Sequence, residues 1–266
     1  MDQDIRVSSW SELHDRLYES SWREPLGRFR SNFAFRGVSQ ADYDLKSSLS
    51  RMGSVGDLER HILRNFRKYA QSTAVPQDSV WNWLAVAQHH GLPTRLLDWT
   101  YSPYVALHFA TERVDLYDRD AAIWCVDYGV TNQYLPDRLK QVLRDEGSDV
   151  FTAEMLAVAA PTLAEFDAFS REPFVAFLEP PSLDDRIVNQ FALFSLMSSA
   201  RAGLDSWLAA RPHVLRRLIV PAGLKWEVRD KLDQANITER VLYPGLDGLS
   251  RWLRRYYTPK PTDSPH

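Results

Sequence analysis

The sequence predicts a mixed α+β fold, in which strands come first singly and later in a group instead of alternating strictly with helices. Three observations carry this. Asn32–Val38 alternates as a lone early strand; Phe174–Leu178, Gln190–Leu196 and Leu215–Val220 read as strands in the second half; helical patterns fill the space between and around them. At 266 residues, 44% hydrophobic and 25% charged, the chain has ordinary globular composition and enough length for one large core.

Ser9–Glu12 has the capping-box form S-x-x-E and opens a short helix through Leu13, Leu17 and Tyr18. The strand carrying Arg36 follows, then a helix with apolar positions Leu58, Ile62, Phe66 and Tyr69. Trp83, Leu84, Ala87 and Gln88 lie at helical spacing, Gly91 is placed to end that helix in a left-handed turn, and Pro93 prevents its continuation. A loop is therefore expected from about Leu92. Ser102-Pro103 reads as an N-cap followed by proline at the first helical position, with Val105, Ala106, Phe109 and Ala110 as the apolar face.

Ala121–Val126 reads as a buried strand. Pro136–Phe169 is helical through Leu139, Val142, Leu143, Met155, Leu156, Leu163 and Phe166, so residues 136–170 form a helical insert able to make a subdomain. Lys225–Gln234 is expected as a helix, Ile237–Leu242 as a strand and Leu246–Tyr257 as the closing helix. The expected organisation is a single domain over 1–258 with a Pro-rich, disordered tail over 259–266.

Composition excludes several classes. The net charge of −3 gives no global field for nucleic acid, although cations cluster at Arg60, Arg64, Arg67 and Lys68, at Arg216-Arg217, and at Arg251, Arg254 and Arg255; such clusters usually mark solvated helix faces. One cysteine, Cys125, lies in an apolar run and is expected as a buried thiol in a reducing cytoplasm. The polar N-terminus has no signal-peptide pattern, and no apolar run reaches membrane-spanning length. Dinucleotide-fold, P-loop, nucleophile-elbow and zincin motifs are missing, and adjacent His89 and His90 point about 100° apart on a helix with no completing ligand set, so no metal is expected.

The chemistry left concentrates in Trp81–Thr111. Arg95, Asp98, Thr100 and Tyr101 fall in a loop running into the helix N-terminus at Ser102, an arrangement that suits a phosphate or carboxylate. The bland alternative is that Arg95 and Asp98 pair with each other to pin the loop. Arg36, Gln88-His89, and Arg186 with Gln190 add polar groups in strongly structured surroundings; Gln190 reads either as facing a cleft at a strand start or as a buried structural amide.

FAFRG at Phe33–Gly37, AQHHGLPTRLLDWTYSPYVALHFA at Ala87–Ala110, RIVNQFALF at Arg186–Phe194 and ITERVLYPGLDGL at Ile237–Leu249 together resemble the FRG-domain family of bacterial and phage-associated proteins. The third motif departs by carrying Gln190-Phe191 where Gln-Gly is familiar, and the last reads LYPGLDG for an LFPDLDG-like close. The order of parts is also similar to that of ADP-ribosyltransferases of the arginine–serine–glutamate type, which implies an ADP-ribosyltransferase-like mixed sheet with surrounding helices.

That second resemblance implies NAD as substrate, nicotinamide loss through an oxocarbenium-like state and attack by a macromolecular acceptor. It implies Arg36, Gln190, His89 and Asp98 as the reacting set, with Glu179 or Glu239 as other sources of a carboxylate that Gln190 cannot supply. NAD would be bound by Arg36, Gly37, Thr94, Arg95, Trp99, Thr100, Tyr101 and Ser102. The FRG-family resemblance further implies a toxin or anti-phage effector, with RNA or other nucleic acid ahead of protein as its target and an antitoxin as partner; the lack of a long apolar run implies no membrane partner. The alternative is a non-catalytic module that binds a nucleotide or nucleic acid.

Overall fold

The computed structural model describes residues 4–53, 57–70 and 74–260. In chain order its first half comprises β1 (Asp4–Arg6), α1 (Trp10–Tyr18), β2 (Trp22–Arg23), β3 (Arg28–Phe29), β4 (Phe33–Val38), α2 (Ser48–Arg51), α3 (Asp57–Tyr69), α4 (Val80–His89), β5 (Leu97–Thr100) and α5 (Pro103–Thr111). Then come β6 (Ala121–Asp127), α6 (Tyr128–Thr131), α7 (Asp137–Glu146), α8 (Ala153–Ala159), α9 (Leu163–Asp167), β7 (Val175–Leu178), α10 (Asp185–Asn189) and β8 (Ala192–Met197). The last elements are α11 (Leu204–Ala209), β9 (Leu215–Val220), α12 (Lys225–Gln234), α13 (Glu239–Leu242) and α14 (Leu246–Tyr256).

The fold is mixed α+β. Its sheet runs in the order β1-β9-β6-β4-β5-β8-β7, with β1 parallel to β9 and every other neighbour antiparallel. Helices cover both faces. α1, α5 and α12 pack Leu13, Leu17, Leu107 and Val228 on Phe33, Phe35, Ile123 and Leu218. The opposite face buries Ala34, Leu97, Trp99, Trp124 and Phe177 with Trp207 and Leu208 of α11. A third cluster gathers α4 and α7–α9 on Phe194 and Leu196 of β8.

The insert over 136–170 is three short helices. Leu139, Leu143, Leu156 and Phe166 pack on Trp81 and Leu84 of α4, and the Trp81 indole N–H donates to the Ala160 carbonyl at 2.8 Å. Within the tail, residues 261–266 lie outside the described residues.

Local signals account for most elements. Ser9 caps α1 by accepting from the Glu12 N–H, but the Glu12 carboxylate reaches back to Ser8, one residue before a true capping box. Gly91 (φ +80) ends α4 in the left-handed turn, and Leu92 N–H closes it onto the Ala87 carbonyl. Ser102 caps α5 and Pro103 opens it.

Three expected elements are corrected. The loop expected from Leu92 to Ser102 contains β5, an interior strand pairing β8 from Leu97↔Ser195 to Thr100↔Ala192; alternation of buried Leu97 and Trp99 about Asp98 is its cause. The strand expected from Gln190 starts at Ala192, because Asp184 caps the helix α10 and the chain turns at Phe191 with φ +48. Ile237–Leu242 is not a strand: Thr238, Glu239 and Leu242 are buried at one-turn spacing, which makes the helical turn α13.

Candidate functional site

The sheet is incompletely zipped in its middle. β4 pairs with β6 through six consecutive partners, Phe33↔Asp127 to Val38↔Ala122, but with β5 through Phe35↔Thr100 alone. Beyond that pair the two halves of the sheet diverge, and a cleft of about 770 Å³ opens between Arg36–Ser39 on one side and Asp98 and α10 on the other. The volume lies in the range of small-molecule and cofactor pockets.

Arg36, His89, Asp98 and Gln190 all line this one cleft, although they come from β4, the end of α4, β5 and the end of α10. Half-buried Arg36 donates from one terminal nitrogen to the Asp98 backbone carbonyl at 2.5 Å, joining strand edges whose own ladder has stopped. Its Nε is buried without a partner. Burial lowers the guanidinium pKa, against the pull of the Asp98 charge, but an arginine remains cationic. An unpaired buried donor costs free energy and is the kind of atom a ligand oxygen satisfies.

The remaining groups are tied down from behind. Thr94 Oγ1 donates to Gln88 Oε1 at 2.6 Å, and Gln88 Nε2 donates to the Asp98 carboxylate at 2.9 Å, which fixes Asp98 through a chain of side chains. His89 Nε2 lies 2.6 Å from the Asp184 carboxylate, which also caps α10; against its partial burial, the Ile187 N–H and then His89 lower the Asp184 pKa. Gln190 donates from Nε2 to the Leu242 carbonyl at 3.0 Å while Thr100 Oγ1 donates to its backbone carbonyl, so its Oε1 is left for the cleft. Arg113 and Arg186 add cations to the lining.

Half of the expected NAD-binding set stands elsewhere. Arg95 is 9% exposed and saturated by Glu59 and Asp167, at 2.7 and 2.5 Å; these pairings outweigh the desolvation of its burial and raise its pKa. It therefore neither pairs with Asp98 nor faces a ligand. Thr94 is buried behind Gln88 instead of lining the cleft. Tyr101 donates its hydroxyl to Glu179 at 2.7 Å and stacks on Tyr128 and Phe191, outside the lining. Ser102 is spent on the Val105 N–H and its own N–H is bonded to Thr100 Oγ1, so the α5 N-terminus is capped and offers no anion site.

Of the others, Trp99 meets the cleft, but its indole points into the core and donates to Ser195 Oγ. Thr100 lines the cleft as a strut for Gln190. Gly37 lines it too, for a packing reason: a Cβ there would sit 1.8 Å from the Ala106 carbonyl oxygen, so glycine lets α5 lie directly on β4.

The alternative carboxylates are also placed. Glu179 serves Tyr101, and Glu239 is locked in a bidentate pair with Arg255. Sequence reasoning missed Glu112, which lines the cleft at the end of α5, one turn beyond Phe109 on the same wall. Continuing the α5 helical phase past Ala110 would have found it. One basic cluster turns inward, with Arg216 and Arg217 stacked on Phe33 and Trp124; of the last cluster Arg255 is buried while Arg251 and Arg254 are exposed. Cys125 is buried as expected, its thiol pushed up to about 12 by desolvation. Among the described residues no cluster could hold a metal ion, and no helix is long and apolar enough to cross a membrane.

An α+β protein whose sheet parts around an arginine-lined cleft is thus defined. The family model of the FRG domain matches residues 31–119, from just before β4 to just before β6. No curated protein and no solved structure matches the chain.

Proposed function

We propose that the protein is an NAD-dependent ADP-ribosyltransferase. The reading is carried by a single observation: Arg36, His89, Asp98 and Gln190, spread over the chain, converge on one cleft of about 770 Å³. The mixed sheet around it is compatible with an ADP-ribosyltransferase-like core. Arg36, with its unpartnered Nε, and Arg186 supply cations for the pyrophosphate, and His89, held by Asp184, lines the cleft beside them. Gln190 Oε1 accepts from a ribose hydroxyl, and Asp98, steadied by Gln88, lends negative charge as the ribose becomes oxocarbenium-like.

The acceptor is a macromolecule, nucleic acid ahead of protein, because Arg60, Arg64, Arg67 and Lys68 of α3 are exposed. Cytoplasmic action as the toxin of a toxin–antitoxin or anti-phage system, silenced by an antitoxin, completes the proposal.

The test is incubation of purified protein with labelled NAD and a bacterial lysate, followed by separate protease and nuclease digestion. Label removed by nuclease is the expected result. Retained NAD affinity with no label transferred would favour a binding module. Arg36→Ala should abolish transfer while changing stability by less than ~1 kcal/mol, since only one hydrogen bond to a carbonyl is lost.

A further inference from the structure

We infer that Glu112 is the proton-accepting carboxylate of the cleft, held by Tyr243 with the buried His108 behind it. The assignment rests on the transferase reading. Glu112 lines the cleft, and its Oε2 accepts from the Tyr243 hydroxyl at 3.3 Å and lies 4.0 Å from His108 Nε2. His108 is fully buried, and its Nδ1 faces an Arg229 N–H at 3.0 Å. An arginine is only a donor, so Nδ1 is the acceptor and the ring proton sits on Nε2, directed toward Glu112. That Nε2 makes no hydrogen bond, and its 4.0 Å approach to Glu112 is dipolar.

Behind Arg229 the frame continues. Arg229 donates to the Ile237 carbonyl and approaches Asp233, which is shared with Arg255, and Arg255 holds Glu239. Glu112, at the end of α5, is therefore backed by a wall built from α12, α13 and α14, and its Oε1 has no hydrogen-bond partner among the described residues. The other carboxylates are engaged: Asp98 by Gln88, Asp184 by His89, and Glu179 and Glu239 away from the lining. The His89 nitrogen held by Asp184 is likewise unavailable to take a proton from a ligand.

In the step so assigned, an O–H or N–H group of the acceptor forms a bond to the anomeric carbon of the nicotinamide ribose. The bond from that carbon to the pyridinium nitrogen breaks, neutral nicotinamide leaves with the electron pair, and the acceptor's proton passes to the Glu112 carboxylate. Burial raises the Glu112 pKa, opposed by the Tyr243 hydrogen bond; Glu239 raises it further, and Arg229 and Arg251 lower it. A carboxylate so shifted is a better proton acceptor near neutral pH.

The experiment measures label transfer from NAD to lysate acceptors across pH 5–9, with NAD affinity by calorimetry and melting temperature alongside. Glu112→Gln is expected to lower transfer by about 100-fold or more, keep NAD affinity within about threefold, and remove the acid limb of the pH profile. Formate should restore part of the activity of Glu112→Ala, which a purely structural glutamate would not allow. Should the glutamine variant fail to fold, Glu112→Asp carries the test, and a wild-type rate and pH profile there overturns the assignment. Wild-type transfer by a folded Glu112→Gln overturns it alone. A wild-type protein that transfers nothing from NAD overturns the transferase reading and this step with it.

Discussion

Arg36 and Arg95 stand near opposite ends of one polar chain, Arg36–Asp98–Gln88–Thr94, yet their donors are used in contrary ways. Arg95 spends Nε and both terminal nitrogens on Glu59 and Asp167. Arg36 spends one N–H on a carbonyl, keeps Nε unpaired and lines an open cleft. Both are arginines in the motifs that carry the family resemblance, and only an account of where each donor goes separates the fastener from the binding group. The same account ranks stability: the Arg95 cluster holds the insert to the core, while the side chains around Arg36 leave donors and acceptors for something else.

The sharpest way to break this contrast lies in the backbone beneath the cleft. Gly37→Ala places a methyl 1.8 Å from the Ala106 carbonyl oxygen and 2.8 Å from the Ala110 nitrogen, both main-chain atoms of α5 that no side-chain rotation relieves. The expected outcome is loss of recoverable folded protein, or a fall in melting temperature larger than that of Arg95→Ala. A folded Gly37→Ala protein melting within about 2 °C of wild type would show that α5 can lift off the sheet, and the rigid floor assumed for Arg36 would go with it.

Arg95→Ala comes next. Glu59 is 3% exposed and would be left as an uncompensated buried charge, at a cost of about 3–5 kcal/mol, or roughly 10 °C in melting temperature. Arg36→Ala should cost a small fraction of that. Equal losses for the two variants, measured by urea denaturation, would erase the distinction between them.

The cleft wall and the Arg95 cluster should also differ in pH response. Burial, reinforced by the Arg229 charge, holds the His108 pKa down at about 3, against 6.5 in an unfolded chain. The folded state refuses a proton that the unfolded state accepts, so this contribution is fully present above pH 6.5 and is lost as pH falls toward 3. Between pH 6.5 and 5 the slope approaches ~1.4 kcal/mol per pH unit, before most carboxylates titrate. A His108→Gln protein should lack that slope; finding it unchanged in unfolding midpoints at pH 7, 6 and 5 would place the titrating group elsewhere.

How much of this was legible depends on how far each partner lies along the chain. Local chemistry was readable: Gly91 ends α4, Ser102-Pro103 opens α5, and the lone β4 and grouped later strands gave the mixed fold. The cleft residues Arg36, His89, Asp98 and Gln190 were also found, because they sit in dense, unusual motifs. The fate of Arg95 was not, since its partners lie 36 and 72 positions away and no spacing rule links them. β5 was hidden for a related reason: four residues between a proline and an N-cap carry too short an alternation to stand against a loop. Glu112 escaped because it follows the motif, and only the register of α5 on β4 brings it into the cleft.

The smallest expected effect concerns Phe191, which sits beside Gln190 with φ +48 and is 58% exposed. A left-handed conformation costs a non-glycine residue about 1–2 kcal/mol, so Phe191→Gly removes strain. It also loses the ring contact with Tyr101 and loosens the unfolded chain, each worth roughly 0.5–1 kcal/mol. The terms nearly cancel, and the net change should stay below ~1 kcal/mol. Phe191→Val gains nothing from the backbone, because a β-branched residue is worse still at positive φ, and it loses the same ring. Glycine should therefore be the more stable variant by denaturant midpoint. Both variants lose the Tyr101 contact, so the reverse order would mean that the left-handed turn at Phe191 carries no strain for glycine to relieve.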